Sequence, residues 1–289
     1  MANLKEIRNR ISSVSSTMQI TGAMKMVSAA KLKRAQDAIT AMRPYSEKLA
    51  SLLQNLISSL SEDFENVYAV QREVKKVLIV PISSNRGLAG AFNSNIMKES
   101  VRLCNDTYKS ETVSFFTIGK KVSEFLKKNN DVVYENTGIF NDLNFENVSE
   151  VASLLMKKFT SGEFDKIVLV YNTFKNAAVQ NVLVEPFLPI SSSFKTDSAS
   201  SFTKDYVFEP SKEEIVEELI PKSLKVQLYK AIRDSFASEH GARMTAMHKA
   251  TDNAKDLRDQ LKLTYNKVRQ ASITNEILEI VGGAEALNS

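Results

Sequence analysis

The stretch Ser83 to Asn93, SSNRGLAGAFN, has the composition of a turn that could hold a phosphate. Gly87 and Gly90 free the backbone, and a turn that follows a β-type run and opens a helix can aim amide N–H groups at an anion. Its glycines match neither the dinucleotide fingerprint nor the P-loop, so a tight strand-to-helix turn is the favoured reading over a nucleotide site. The histidines, His240 and His248, lie eight residues apart in a helical stretch, where ordinary core or surface positions outweigh a metal or general-base role. Glu213, Glu214, Glu217 and Glu218 read as the solvated first turn of a helix rather than an acid/base pair. Neither a nucleophile elbow nor a zinc-binding His-Glu-x-x-His helix is present. This inventory points to a mechanical or structural protein, with no catalytic residue, cofactor or metal expected.

Composition narrows the class further. With 289 residues, 43% apolar and 25% charged, the chain reads as a folded protein with room for a domain plus an extended element. The single cysteine, Cys104, excludes an internal disulfide and fits a reducing compartment. No apolar run approaches the roughly 18 residues of a membrane-spanning helix, so membrane association would run through partners or a surface. The first thirty-odd residues are basic, Ser-rich and nearly free of acid, as a transit peptide would be. Their helical pattern nevertheless continues well past any cleavage-like site, which favours mature structure. The net charge of +4 is uneven, since residues 1–60 carry nine Lys/Arg against three Asp/Glu and residues 222–289 eleven against eight. Basic ends around an acidic middle suit an anionic partner, either nucleic acid or an acidic protein surface.

Those ends are predicted to be long helices. Leu4, Ile7, Ile11, Val14 and Met18 alternate three and four residues apart, the seam of a coiled coil. The next seam position is Lys25, so a stutter is expected there, with the stripe resuming through Ala35, Ala38, Met42, Tyr45, Leu49, Leu52 and Leu56. Pro44 should kink this helix. At the other end Ser211 and Glu214 form a capping-box pattern, and Pro221 is expected to break or restart the helix. Met247, Ala250, Ala254, Leu257, Leu261, Tyr265 and Val268 make a second stripe that continues toward Ile273, Ile277, Ile280 and Val281 before Gly282-Gly283 ends it. The two stripes are predicted to bury one another as an antiparallel pair.

Between them the period changes. Val77 to Ile82, Thr112 to Ile118 and Lys166 to Tyr171 are β-type runs that alternate with helical segments near Asn93 to Tyr108, Lys120 to Lys128 and Phe145 to Phe159. Ala178 to Glu185 is expected to add an antiparallel strand, and Ser191 to Ser201 to form a loop. The predicted fold is therefore α/β, a long antiparallel coiled coil of terminal helices plus a Rossmann-like domain with a mainly parallel sheet. The expected boundaries are 1–60 and 211–286 for the paired shaft helices and 74–210 for the α/β domain.

Three stretches, Ile20 to Lys31 (ITGAMKMVSAAK), Arg86 to Asn93 (RGLAGAFN) and Ala271 to Ala286 (ASITNEILEIVGGAEA), resemble in order and position the most recognisable parts of ATP synthase gamma subunits. The last fits the family pattern through Ile273, Thr274, Glu276, Glu279, Gly283 and Ala284. The resemblance covers essentially the whole chain. It implies a non-catalytic central shaft that stands in a hexamer of alpha and beta subunits, with the α/β domain beside epsilon and on the ring of c subunits. It also implies contact with the beta subunits at Met24, Lys25, Arg269, Gln270, Thr274 and Glu276. Tyr206, Phe208 and Glu209 resemble the family's segment near the c ring. The implied location is peripheral, on the cytoplasmic face of the bacterial inner membrane. The chloroplast type carries an inserted cysteine pair, which a chain with only Cys104 lacks, so thiol regulation is not expected.

Two rival readings start from the same residues. A coiled-coil nucleic-acid-binding or scaffold protein would use the basic ends on phosphates, but no interleaved aromatics or reading motif supports it. A small-molecule enzyme would use the Gly87 turn, and lacks a nucleophile-base constellation.

Overall fold

The computed structural model describes residues 4–58, 67–190 and 212–288. The predicted loop Ser191 to Ser201, the segment with Tyr206, Phe208 and Glu209, and the capping residue Ser211 lie outside the described residues. The element order is α1 (Leu4–Ser58), β1 (Lys76–Pro81), α2 (Phe92–Arg102) ending in a π-helical turn (Leu103–Thr107), β2 (Thr112–Ile118) and α3 (Lys120–Leu126). It continues with β3 (Val132–Asn136), α4 (Phe145–Thr160), β4 (Lys166–Phe174), β5 (Gln180–Leu188) and α5 (Lys212–Asn288). The chain divides into two compact units, one of residues 1–29 and 243–289 and one of residues 30–242.

In the larger unit the five strands lie in the order β3-β2-β1-β4-β5. All neighbours are parallel except the β4–β5 hairpin, which is antiparallel as its expected turn required. Alternate residues of a strand point to opposite faces, and both faces here are apolar because helices cover both. Val77, Ile79, Phe115 and Val170 pack with Ile96 of α2 and Val122 and Leu126 of α3. Leu78, Val80, Phe116, Leu169 and Tyr171 face a larger core made with Val148, Leu155 and Phe159 of α4 and Val216, Ile220, Leu224 and Leu228 of α5. Leu53 of α1 joins that second core. The edge strand β3 was not expected: Val132, Val133 and Tyr134 are too short an apolar run to stand out beside Asp131 and Glu135.

Four expectations about the long helices are corrected. The expected stutter is absent. Residues 4, 7, 11, 14, 18, 21, 25 and 28 in the smaller unit and 32, 35, 39, 42, 46, 49 and 53 in the larger are each buried or half-buried, an unbroken three-four alternation flanked by half-buried residues 15, 22, 24, 29, 36, 38 and 52. Two seam places belong to Thr21 and Ser28, which are small enough to be buried and escape a search for apolar residues. Ile39 and Leu53 therefore take the core positions expected of Ala38 and Leu52, and Tyr45 is 49% exposed. Second, α5 does not break at Pro221. The neighbouring Ile220 and Leu224 are buried on the sheet, and that packing outweighs one lost backbone hydrogen bond. Third, α5 runs through Gly282-Gly283 to Asn288, so the glycines do not end it. Fourth, Leu257 is 47% exposed, and Arg258 is the half-buried residue in its place. The helix α1 likewise continues through Pro44.

Replacing Pro221 by Ala restores an amide donor inside a continuous helix. It is expected to stabilise the protein by roughly 1–3 kcal/mol in urea unfolding. A loss of stability would show that the proline is required by its surroundings.

Candidate functional site

The Ser83 to Asn93 turn spends its polar groups on its own fold. Ser84 donates to Asn93 Oδ1 through both its amide and its hydroxyl, each at 3.0 Å, while Ser83 Oγ accepts from the Val122 amide at 3.1 Å. Asn85 bridges to the far side, accepting from the Lys120 amide at 3.0 Å and donating to the Thr137 carbonyl at 2.7 Å. The turn thus joins β1 to α2 and also caps the N-terminus of α3, which favours the structural reading over a phosphate cradle. Gly90 adopts a positive φ of 57°, as does Leu88 at 62°, and the Leu88 side chain is 66% exposed. A branched side chain held in this conformation in solvent is a contact candidate that sequence reasoning missed, since RGLAG reads only as turn chemistry.

Neither histidine belongs to a metal-holding group among the described residues. His240 is buried, edge-on to Phe236 at 4.5 Å between ring centres, and exposed His248 lies 3.2 Å from Asp252 one turn on. Among the described residues, no group of three or more His, Cys, Asp or Glu is placed to hold a metal ion. No helix among them is long and apolar enough to cross a membrane.

The smaller unit carries the residues assigned to beta-subunit contact. Its two helical segments run antiparallel, as three bonds across the seam show: Arg8 to Tyr265 Oη at 3.1 Å, Arg258 to Met18 Sδ at 3.7 Å and Thr251 to Thr21 Oγ1 at 2.9 Å. The Arg8 guanidinium also lies over the Tyr265 ring, 5.9 Å from its centre. Thr21 can give its proton to the Thr17 carbonyl at 2.9 Å and still accept from Thr251, so both seam hydroxyls are satisfied. Changing Thr21 and Thr251 to Val singly and together should reveal a coupling of about 1 kcal/mol in unfolding experiments. Additive effects would show that the bond contributes nothing.

This register separates the candidate residues into two levels. Met24 and Lys25, both half-buried, stand near Thr251, whereas Arg269 is 18 residues farther along α5, roughly 27 Å at the helical rise. Arg269, Gln270, Thr274 and Glu276 are all exposed, with Thr274 Oγ1 bonded to the Gln270 carbonyl at 2.9 Å. The first level is flanked by exposed Ile20 (60%), Met26 (68%) and Val27 (57%). The second lies where α5 passes the described start of α1, so Ile273, Ile277, Leu278, Ile280 and Val281 are exposed rather than continuing the seam as expected. The signal that would have found them is the mismatch between the two stripes, since a helix beginning at Leu4 and paired in this register reaches only to about residue 269 of its partner.

Paired terminal helices with exposed apolar bands, enclosing in sequence a doubly wound α/β domain, define a protein built from a terminal-helix pair and an α/β domain. A family model described as ATP synthase matches residues 3–287. The ATP synthase gamma chain of Flavobacterium johnsoniae is 67% identical over 288 residues, covering 100% of both chains. A chain of the central stalk and c-ring structure of Tetrahymena thermophila mitochondrial ATP synthase is 26% identical with a TM-score of 0.60, over 80% of this chain and 99% of that one. A chain of the Euglena gracilis mitochondrial ATP synthase structure shares the fold at a TM-score of 0.71 and 22% identity, covering 98% of this chain and 94% of that one. The chain belongs to the ATP synthase gamma chain family.

Proposed function

We propose that this chain works through two levels of partner contact on its paired helices, one around Met24 and Lys25 and one at Arg269, Gln270, Thr274 and Glu276. It is the central rotor shaft of a rotary ATP synthase, linking the catalytic hexamer of alpha and beta subunits to the ring of c subunits. The observation that carries the contact reading is exposure. Paired helices with a well-formed seam have no need of Ile20, Met26 and Val27 outside it, nor of five exposed apolar residues between 273 and 281. Bands of this kind call for enclosing partners, and a hexamer with a central bore supplies them at both levels.

The physics of the role is differential contact. A shaft with different residues on each side presents a different surface to each beta subunit, so its angle biases which catalytic site is open. The subunit itself supplies no reacting group and is non-catalytic. Lys25 and Arg269 would meet acidic beta-subunit surfaces, where charge complementarity fixes orientation more than it adds affinity. Tyr206, Phe208 and Glu209 are assigned to the c ring by their resemblance alone, and the α/β domain is the part that meets epsilon. In this reading 1–60 and 211–286 are the shaft segments, 74–210 is the globular foot, and the chain is peripheral on the cytoplasmic face of the bacterial inner membrane.

Reconstitution separates this reading from its rivals. Alpha and beta subunits mixed with this chain should yield a complex with ATPase activity that is lost when the chain is omitted. Recovery of the chain with nucleic acid and no ATPase would support the basic-arm alternative instead.

A further inference from the structure

Within the larger unit the two shaft helices meet the sheet by different means. The helix α5 is tied to the β4–β5 hairpin by directional contacts. Gln227 Nε2 donates to Glu185 Oε1 at 2.8 Å and to the Pro186 carbonyl at 3.2 Å. Glu185 is in turn held by the Tyr171 hydroxyl at 2.5 Å, and Tyr171 is 2% exposed. Burial, reinforced by the neighbouring Glu185 charge, pushes the Tyr171 pKa upward and keeps this hydroxyl a donor. Three turns farther along, Ser238 Oγ donates to the Asn172 carbonyl at 3.1 Å, and Asn172 Nδ2 reaches the Phe92 carbonyl of α2 at 3.3 Å. At Gly241 the helix comes so close that an added Cβ would stand 3.2 Å from Ala177 Cα and 3.3 Å from Phe174 Cε2.

Residues 227, 238 and 241 are spaced by eleven and three, about three turns and then nearly one more, so all three lie on one face of α5. Among its described side chains the helix α1 has no counterpart to this face. Its buried residues in the unit, Leu32, Ala35, Ile39, Leu49 and Leu53, are apolar, and its described side chains make no hydrogen bond to a strand. Apolar packing is non-directional and can creep sideways under load, whereas bonds to a strand carbonyl and a close backbone approach resist sliding and rolling.

We propose that torque passes between the α/β domain and the shaft through α5 alone, keyed to the β4–β5 hairpin by Gln227, Ser238 and Gly241, with α1 carried along by its partner helix. This rests on the rotor reading above and assigns the load path inside it. Gln227 and Ser238 are positioning residues: they touch no nucleotide and act only through the stiffness of the joint.

The test is torsional stiffness in the assembled complex, with the hexamer immobilised and a rod attached to the α/β domain. Angular variance during catalytic pauses is compared for the wild type, the double variant Gln227→Leu/Ser238→Ala, Gln227→Met alone, and Leu53→Ala as the α1 control. Variance should rise at least about two-fold in the double variant and by a smaller amount in Gln227→Met, because directional contacts have been removed. It should stay at the wild-type value in Leu53→Ala, although a buried truncation of that kind is expected to lower thermal stability the most. Gln227→Met keeps the bulk of the side chain and provides the readout should the double variant fail to fold. Unchanged variance in the Gln227 variants, or equal softening by Leu53→Ala, overturns the load path. Rotation itself reports on the rotor reading, since a wild-type chain that does not turn would sink both, while normal rotation with unaltered stiffness sinks only this proposal.

Discussion

A Lys25→Glu chain is expected to assemble with the alpha and beta subunits at normal yield and to lower ATP-driven ion pumping by about ten-fold, equivalent to about 1.4 kcal/mol. Assembly should survive because, among the described residues, Lys25 makes no hydrogen bond or ion pair, so the helix pair loses nothing it depended on. Coupling should suffer because the new carboxylate would face acidic partner surfaces, and like charges juxtaposed in a contact cost up to several kcal/mol. Lys25 occupies a seam place in α1 but is only half-buried, which leaves its ammonium free to turn outward between Met24 and the exposed Met26. The readout is the ratio of proton or sodium pumping to ATP hydrolysis in reconstituted vesicles. Equal loss of assembly and coupling would show that Lys25 acts in building the shaft rather than in driving it.

The second large effect belongs to the α/β domain. Gly119 has a φ of 100°, and an added Cβ would stand 2.2 Å from the Ser83 carbonyl oxygen and 2.8 Å from Ser83 Oγ. No side chain fits without moving the end of β1, and Ser83 is the residue that caps α3 through the Val122 amide. Gly119→Ala should therefore destabilise the protein by roughly 3–5 kcal/mol, combining backbone strain, the clash and a lost cap. Gly138→Ala is the matched control, because its added Cβ would meet only Asn136 Oδ1 at 3.9 Å. Urea unfolding of both variants checks the claim. A Gly119→Ala chain as stable as the control would mean that the β1–α3 joint is softer than its geometry.

Much of this architecture was legible from period alone. Runs such as Val77 to Ile82 and Lys166 to Tyr171 are apolar on both faces, which is what a parallel sheet covered twice demands, and the hairpin followed from the turn before Ala178. What stayed hidden has a common physical cause: period searches see hydrophobicity, whereas burial also selects for size. Thr21 and Ser28 are buried because they are small and their hydroxyls can be satisfied locally, so a seam that never changes phase looked interrupted. Pro221 and Gly282-Gly283 show the opposite limit, since helix-breaking chemistry in the sequence did not break α5.

The candidate contacts were legible only through resemblance. Arg269 and Gln270 look like any solvated helix face, and nothing in their types singles them out. The exposed apolar residues from Ile273 to Val281 became visible once the register showed how far the described part of α1 covers α5. Leu88 needed the backbone itself, because a positive φ at an exposed leucine is not written in a turn motif.

The most direct test of the central claim is rotation observed one molecule at a time. With the alpha/beta hexamer fixed to a surface and a bead on the α/β domain of this chain, ATP should drive steady turning in one direction. ATP hydrolysis by the same fixed complexes with a bead that only jitters about one angle would contradict the account.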